Sequence, residues 1–491
     1  MAEISFVDQT IRDGQQSLWG MRMRAGQVTA VAKEMDSAGF HIIDIPMGGT
    51  ISEVAMRYLH EDTWERMDHL HRCLPRTRLR AARRPSAIGR FAIDPDCVIK
   101  LWVETLVRHG ISSFWIYDCL YNMEAMERVC RTIADTGSEV VPAIMFGISP
   151  VHTDEFFAET VRQYVSWGIT DAIFVEDAPG ILTPDRTRTL VRGIIDAADG
   201  KPVELHCHNT TGMAPANYLV GIEEGVRILH TASRPLANGP SLPSIETMIE
   251  NLNWLGHTHG IDTSVLPPIA DHMERVALQE GHPVGVPADY SVAVYQHQLP
   301  GGMTGTLKAQ LAIHHMEDRL QDVLVECAQV RQDLGHPISA TPFSQFVGIQ
   351  AVLNVTTGDR YSVVPREIVL YVLGHFGNPP APLNQDVLDR IMSSPQAKEL
   401  LNWEPPQPTL RELRAEYGGD TDEELLTRYL VSPDAIEATR AAGPFRSDYE
   451  FRNDATVRDL LGELKKLERA ENVTVKLPDL SLSWSRATCA E

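Results

Sequence analysis

The chain lacks the features that mark proteins of membranes, of oxidising compartments and of nucleic-acid complexes. Its 491 residues contain no uninterrupted apolar run of about 18 residues, the length needed to cross a bilayer. The seven cysteines include no Cys-x-x-Cys pair, which argues against a disulfide framework or a zinc knuckle. A formal net charge of −22 repels phosphate backbones. We therefore expect no membrane insertion, reduced thiols and no nucleic-acid partner.

Lysine is scarce as well, and the first residues do not resemble a secretory leader. Only eight of the 44 basic residues are lysines, and no lysine lies between Lys100 and Lys201. The opening segment MAEISFVDQT has neither a basic stretch nor a long apolar one. We expect a cytoplasmic protein.

What the first 256 residues do contain is an alternation of short apolar runs with longer amphipathic stretches. The runs, typical of strands, lie at 4–10, 41–46, 78–84, 112–118, 139–146, 171–177, 202–208 and 227–233. The stretches with helical spacing lie near 25–38, 52–72, 95–109, 121–136, 154–167, 183–198, 214–225 and 243–256. Eight such repeats predict an α/β fold, the (β/α)8 TIM barrel. A doubly wound open sheet is the alternative, but no Gly-x-Gly-x-x-Gly turn follows the first run.

The pattern becomes mainly helical after residue 265. Helical spacing recurs at 266–282, 306–335, 343–357 and 365–375, and two proline-rich segments follow at 378–384 and 403–409. The sequence thus predicts three domains, which are a barrel over 1–265, a helical domain over 266–445 and a C-terminal tail over 446–491.

Polar residues gather where the predicted strands end, and three of them suit a metal ion. His206 and His208 point to the same face of the seventh strand, because side chains alternate along a strand. Asp13 follows the first strand, and catalytic groups of such barrels lie at the carboxyl ends of strands. Two imidazoles and one carboxylate favour Zn, Mn, Co or Fe over Mg or Ca. We therefore predict a divalent transition-metal site.

Two residues beside Asp13 are candidates for substrate contacts. The guanidinium of Arg12 can hold a carboxylate or a developing enolate, or it can pair with Asp8 or Asp44 as a structural group. Gln16 can donate a hydrogen bond to a substrate carbonyl, or it can face solvent at the start of a helix.

The segment DQTIRDGQQSLWGMRMR resembles the opening Asp-Thr-Thr-x-Arg-Asp-Ala-His-Gln-Ser segment of the carboxyltransferase family of biotin-dependent enzymes. That family includes the carboxyltransferase domain of pyruvate carboxylase, the oxaloacetate decarboxylase alpha subunit and the pyruvate-side subunit of transcarboxylase. It lies within a wider barrel group with the hydroxymethylglutaryl-CoA lyases and isopropylmalate synthases. The segments NGPSLPSIETMIENL, YQHQLPGGMTGTLKAQL and ATPFSQFVGIQAVLNVTTGDRY look like further parts of the same family.

The resemblance implies a TIM barrel over which a helical domain closes. It implies that CO2 passes between carboxybiotin and a 2-oxo acid, such as pyruvate or oxaloacetate, through a metal-bound enolate. It places metal ligands at Asp13, His206 and His208, and catalytic roles at Arg12 and Gln16. The family's substrate-binding arginine falls on Arg80, and its proton-shuttling threonine falls on Thr341.

The chain departs from the family pattern at three points. Glu176 stands where the family has a carbamylated lysine on the metal, and we predict that Glu176 takes that position directly or through a water. The family's Arg-Gly-x-Asn reads Arg-Ala-Ala-Arg at 80–83, and the tyrosine of its Gly-Tyr pair is replaced by Arg90, a predicted substrate-binding residue. The sequence shows no Ala-Met-Lys-Met segment, and we therefore expect any biotin to arrive on a separate carrier protein.

Three functions remain open on this reasoning. The first is a carboxyltransferase subunit that acts on a small carboxylate with a biotin carrier protein, and we expect it to form a homo-oligomer. The second is a biotin-independent, metal-dependent lyase or decarboxylase that acts on a 2-oxo acid or a related carboxylate. The third is a scaffold without activity, which the metal-ligand pattern together with Arg12 and Thr341 argues against.

Overall fold

Eight parallel strands close into a barrel in the first half of the computed structural model. They are β1 (Glu3–Asp8), β2 (Ile42–Asp44), β3 (Leu79–Arg83), β4 (Ile111–Ile116), β5 (Glu139–Met145), β6 (Ile173–Asp177), β7 (Val203–Cys207) and β8 (Ile228–Thr231). They pair in the order β2-β3-β4-β5-β6-β7-β8-β1, and β1 also pairs with β2, so the ring is closed. The predicted TIM barrel is confirmed, and the open sheet is excluded.

Helices follow the strands and cover the outside of the barrel. They are α1 (Gln15–Trp19), α2 (Ala25–Thr29), α3 (Ala32–Ser37), α4 (Gly49–Val54), α5 (Thr63–Cys73), α6 (Asp96–Arg108), α7 (Met123–Ala134), α8 (Asp154–Ser166), α9 (Pro184–Ala197), α10 (Ala214–Glu223) and α11 (Ile245–Leu255). Several begin at a side chain that accepts a hydrogen bond from the first turn, as an N-cap does; these are Asp62, Asn122, Thr153, Thr183 and Ser244. The helices bury the outer face of each strand and the barrel interior buries the inner face, which explains the nearly continuous apolar runs in the sequence.

The chain continues as helices beyond the barrel. These are α12 (Leu266–Glu280), α13 (Val292–His297), α14 (Gly301–Ile313), α15 (Leu320–Asp333), α16 (Phe343–Thr357), α17 (Arg366–Val372), α18 (Gln385–Met392), α19 (Pro395–Leu400), α20 (Leu410–Tyr417), α21 (Asp422–Leu430) and α22 (Pro433–Ala442). A two-residue strand, β9 (Thr258–His259), pairs with the start of β1. Strands β10 (Asn472–Leu477) and β11 (Leu480–Ser485) form an antiparallel hairpin. The prediction that the second half of the chain is mainly helical is confirmed.

Two long predicted helices are each divided, and a histidine with positive φ ends the first part of each. In the stretch at 52–72, His60 has φ 57° and α5 begins only after it. In the stretch at 306–335, His315 has φ 54° and separates α14 from α15. A left-handed residue cannot continue a right-handed helix. The hydrophobic period persists across such a break, so the sequence pattern did not reveal it.

The structure describes residues 1–89, 92–313, 315–451, 472–477 and 480–485. Contacts group Met1–Tyr449 into one compact unit and Glu450–Glu491 into another, and the finer division at residues 265 and 445 stays a prediction. Arg90 lies outside the described residues. Among the described helices, none is both long and apolar enough to span a bilayer.

Candidate active site

Three predicted metal ligands meet at the carboxyl-terminal mouth of the barrel. A π-helical turn, Thr10–Gly14, follows β1 and carries Asp13. His206 is the fourth residue of β7, and His208 comes directly after the strand. One ligand atom from each residue lies within 4.8 Å of the other two. Oδ2 of Asp13 is 3.5 Å from Nε2 of His206 and 3.5 Å from Nε2 of His208.

The residues around this triad turn its ligand atoms towards one point, where Oδ2 of Asp13 also accepts a hydrogen bond from Arg12. Nδ1 of His208 donates to the carbonyl oxygen of Pro240 at 2.6 Å, so Nε2 keeps its lone pair. Ser17 donates to Oδ1 of Asp13 at 2.7 Å, which leaves Oδ2 turned towards the imidazoles. Nε2 of His206 is buried and has no hydrogen-bond partner among the described residues. An orphaned buried nitrogen of this kind is costly unless something binds it.

The two distances from Oδ2 of Asp13 to the imidazoles are compatible with a metal ion. Metal–ligand bonds of about 2.0–2.2 Å place neighbouring ligand atoms roughly 3.0–3.5 Å apart. The two distances of 3.5 Å are at the upper end of that range, so only a small contraction is needed. The donor set is two nitrogens and one oxygen, and therefore suits a transition metal.

The charges of the triad are strongly coupled. Burial alone would raise the pKa of Asp13, but the charges of His208 and Arg12 hold that pKa well below its usual range. Burial lowers the pKa of His206 to about 3, so its ring is neutral. The pKa of His208 is raised to about 9, because attraction to Asp13 outweighs burial. Without a cation, a proton on His208 balances Asp13, and a metal ion would replace that proton.

The loop after β6 holds His208 in place from the side. Asp177 accepts the backbone N–H groups of Ile181 and Leu182 at 3.0 and 2.6 Å, and its own carbonyl accepts the N–H of His208 at 3.0 Å. Gly180, with φ 71°, packs so closely that a Cβ would stand 2.6 Å from the carbonyl oxygen of His208. Only glycine fits this close approach, so the Ala-Pro-Gly turn is part of the site.

Glu176 lies beside the triad but outside the group of three. It pairs in register with His206 across β6 and β7, and its side chain is buried. Its Oε2 has no hydrogen-bond partner in the described part of the chain. Burial raises the pKa of Glu176 to about 7, despite attraction to Arg12 and His208. Its predicted place on the metal stays a prediction.

Two adjoining cavities open from the site. The metal-side cavity, of about 230 Å³, is lined by Asp13, Glu176, His208 and residues of α14 and the turn before α16. The arginine-side cavity, of about 250 Å³, is lined by Arg83, Arg84 and the loops after β2 and β3. Six residues line both cavities, namely Arg12, Gln16, Met21, Tyr117, Thr341 and Gln345. The predicted residues Arg12, Gln16 and Thr341 therefore stand at the junction.

Arg12 pairs with the metal-ligand candidate rather than with the two carboxylates considered as alternatives. Its guanidinium donates to Oδ2 of Asp13 and stacks 4.9 Å from the centre of the Trp115 ring. Asp44 instead accepts hydrogen bonds from Gln9 and Trp115, each at 3.0 Å. The aromatic ring fixes the plane of the guanidinium, so its remaining donors face the cavities.

Arg80 lies in the barrel interior and lines neither of the two cavities. It is the second residue of β3, and its side chain is fully buried inside the barrel. Two of its nitrogens grip the carboxylate of Glu204, and a third donates to Ser113 at 2.8 Å. The sequence placed Arg80 near the end of the strand, whereas it lies in the amino-terminal half. Its substrate-binding role stays a prediction, and these contacts favour a structural role.

Arg83 is the residue that sequence reasoning passed over. It is the last residue of β3, lines the arginine-side cavity and is 3% exposed. One nitrogen donates to the carbonyl of Ala87, while Nε and one terminal nitrogen have no partner among the described atoms. Burial, together with the neighbouring charge of Arg84, lowers the pKa of Arg83 to about 9 despite the attraction of Asp94. Its position at the carboxyl end of a barrel strand was the available signal.

The sequence matches known family models and known proteins over most of its length. Residues 294–478 match the family model of a conserved carboxylase domain, and residues 117–273 match the HMGL-like family. The chain is 36% identical over 392 residues to a pyruvate carboxylase subunit of Methanocaldococcus jannaschii, and the match covers 79% of this chain and 68% of that protein. It is 32% identical over 433 residues to the 2-oxoglutarate carboxylase large subunit of Hydrogenobacter thermophilus, with coverage of 86% and 66%.

The fold also superimposes on solved structures of pyruvate carboxylase. The carboxyl transferase domain of Rhizobium etli pyruvate carboxylase, determined with oxamate and biotin, superimposes with a TM-score of 0.80 at 25% identity. That match covers 90% of this chain and 77% of the domain. The chain spans only 46% of the complete multifunctional enzyme from the same organism.

A closed barrel with imidazole and carboxylate donors at its mouth defines the chain as a barrel enzyme with a candidate metal centre. The sequence matches and the structural superposition together identify the family of this enzyme. The chain belongs to the carboxyltransferase family of biotin-dependent enzymes, and it is an enzyme of the carboxyltransferase class.

The two arginines of β3 should differ in what their substitution affects. We expect Arg83→Lys to raise the KM for the carboxylate substrate roughly 30-fold, because it keeps the charge but loses the planar fork, a contact worth about 2 kcal/mol. Arg80→Lys should instead lower the thermal unfolding temperature and leave KM near the wild-type value. Steady-state kinetics and thermal unfolding of both variants test this. A raised KM in Arg80→Lys alone would restore the role that the sequence gave it.

Proposed function

We propose that this chain is a carboxyltransferase subunit that moves CO2 between carboxybiotin, carried on a separate protein, and a 2-oxo acid such as pyruvate or oxaloacetate. The observation that carries the proposal is the triad of Asp13, His206 and His208, which opens into cavities lined by arginine. The names of the relatives support the same chemistry, since they are carboxylases of pyruvate and 2-oxoglutarate. Its partners would then be the small carboxylate substrate and a biotin carrier protein.

Asp13, His206 and His208 would hold a divalent transition metal, for which Zn, Mn and Co are the candidates. When bound, the metal ion acts as a Lewis acid that stabilises negative charge on the oxygen of the 2-oxo group. Arg83 would grip the substrate carboxylate, since it lines the adjoining cavity and two of its nitrogens have no partner among the described atoms. Arg12 would stabilise the developing enolate oxygen from the other side, because its plane is fixed by Trp115.

The residues that cover the mouth supply the rest of the chemistry. Thr341 lines both cavities and is only partly buried, so it is accessible from the junction where the substrate and the carrier would meet. Gln16 is exposed on the opposite side of the same junction and can donate to a carbonyl oxygen. Ala340 and Met303 line the metal-side cavity beside them and help to exclude water from the enolate.

The function is tested with the full chain and a separately prepared carboxylated biotin carrier, with free carboxybiotin in parallel. We expect CO2 transfer to pyruvate or 2-oxoglutarate that needs about one transition-metal ion per chain and is lost on chelation. Decarboxylation of a 2-oxo acid that proceeds equally well without biotin would favour the lyase instead. Full transfer activity in a metal-free protein would contradict the proposal.

Thr341 should act on the reaction and not on the fold. We expect Thr341→Ala to lower kcat roughly tenfold or more, because a proton-transferring hydroxyl is lost, while the metal content and unfolding temperature stay unchanged. Thr341→Ser should retain part of the rate, since it keeps the hydroxyl. Equal turnover of the alanine variant and the wild type would make Thr341 a structural residue.

Glu176 should replace the family lysine without any modification. Beside a bound cation the carboxyl group of Glu176 would be anionic without modification, so we expect activity to be independent of bicarbonate during purification and the intact mass to lack a carbamate. Glu176→Gln keeps the shape and removes the charge, and it should weaken metal binding roughly tenfold or more while leaving the fold intact. A metal-loaded structure with Glu176 turned away from the ion would contradict this placement.

A further inference from the structure

The inward face of β7 carries a buried acid, Glu204, below the two histidine ligands. Glu204, His206 and His208 alternate along the strand and so point into the barrel at three successive levels. Glu204 is fully buried and is gripped from one side by the guanidinium of Arg80. On its other side, Oε2 of Glu204 lies 2.9 Å from Nε2 of His230 on β8.

His230 connects this buried ion pair with His206. Its ring is fully buried, and Nδ1 lies 3.2 Å from Nδ1 of His206. The edge of the ring meets Phe174 at 4.7 Å between ring centres, and Tyr218 donates to its backbone carbonyl at 2.6 Å. These contacts hold the imidazole in one orientation.

The hydrogen bonds around His230 fix the position of its proton. The amide nitrogen of Gln9 lies 2.9 Å from Nδ1 of His230 and 3.0 Å from a carboxylate oxygen of Asp44. An amide nitrogen can only donate, so Nδ1 of His230 is an acceptor without a proton. The proton is therefore on Nε2 and is donated to Glu204.

The same acceptor determines which nitrogen of His206 is free. Nδ1 of His206 also faces the bare Nδ1 of His230, whose one lone pair is then shared between the donors from Gln9 and His206, and only a protonated Nδ1 of His206 makes that contact favourable. The lone pair of His206 is then on Nε2, the atom that faces Asp13 and has no partner among the described residues. The chain of contacts thus runs from Arg80 through Glu204 and His230 to the ligand nitrogen.

We propose that His230, held by Glu204 and Arg80, is a positioning residue that fixes the tautomer and orientation of His206 for metal binding. This inference rests on the proposed function only in requiring that Asp13, His206 and His208 bind a metal ion. Histidine ligands depend on an acceptor for their second N–H, and losing that acceptor typically weakens metal binding roughly 10- to 100-fold. The inference also gives the buried Arg80 a role in the site without any contact with substrate.

The test is Co²⁺ binding by the full chain, measured by chelator competition and by the visible absorption of the bound ion. We expect His230→Phe, which keeps a flat ring but removes both nitrogens, to raise the Kd for Co²⁺ roughly 10- to 100-fold and to shift the absorption bands. His230→Asn should recover part of the affinity, because its side-chain oxygen can accept the proton of His206. The matched control is His152→Phe, since His152 is also buried and lies outside both cavities, and it should leave Co²⁺ binding unchanged.

Tight Co²⁺ binding by the wild type with an unchanged Kd and spectrum in folded His230→Phe would overturn the positioning role alone. Failure of the wild type to bind Co²⁺ would overturn the metal site of the proposed function, and this inference with it. The wild-type protein loaded with Zn²⁺ provides a measurement that needs no variant. Imidazole ¹⁵N shifts should show protons on Nδ1 of His206 and Nε2 of His230, and a proton on Nδ1 of His230 would refute the proposal.

Discussion

The site depends on the inward face of β7, which turns two imidazoles towards one carboxylate inside a barrel that excludes water. His206 and His208 are two residues apart on or just after a strand, and the π-helical turn after β1 brings Asp13 to within 3.5 Å of both. Two imidazoles and a carboxylate that face one another in a buried site need either a shared proton or a cation between them. The turn after β6, the Pro240 carbonyl and Ser17 all serve to hold this arrangement.

Polar side chains inside the barrel are stacked in three layers, from the interior up to the mouth. Arg80 and Glu204 form the lowest level, His230 and His206 the next, and Asp13 and His208 the highest. A buried charge pair costs desolvation energy and seldom stabilises a fold by itself. Here the pair also orients the hydrogen bonds above it, so the interior and the chemistry at the mouth are connected. The arginine-side cavity then adds positive charge where an anionic substrate would bind.

The sequence was most informative where periodicity controls structure. All eight strands lie within two residues of their predicted ends, because buried parallel strands form continuous apolar runs. The triad was also predictable, since alternation along a strand and the carboxyl-end rule are both local. The sequence could not separate Arg80 from Arg83, because three residues along one strand decide between the interior and the mouth. Nor did it reveal His230, whose proposed role depends on contacts with Gln9, just after β1, and with His206 on β7.

X-ray absorption at the metal edge of the purified, metal-loaded full chain tests the central claim most directly. The account predicts one ion per chain, with two imidazole nitrogens at about 2.0–2.1 Å and oxygen donors completing the shell. The His206→Ala variant should lose one imidazole from that shell. A shell of oxygen alone, or one with sulfur ligands, would contradict the account.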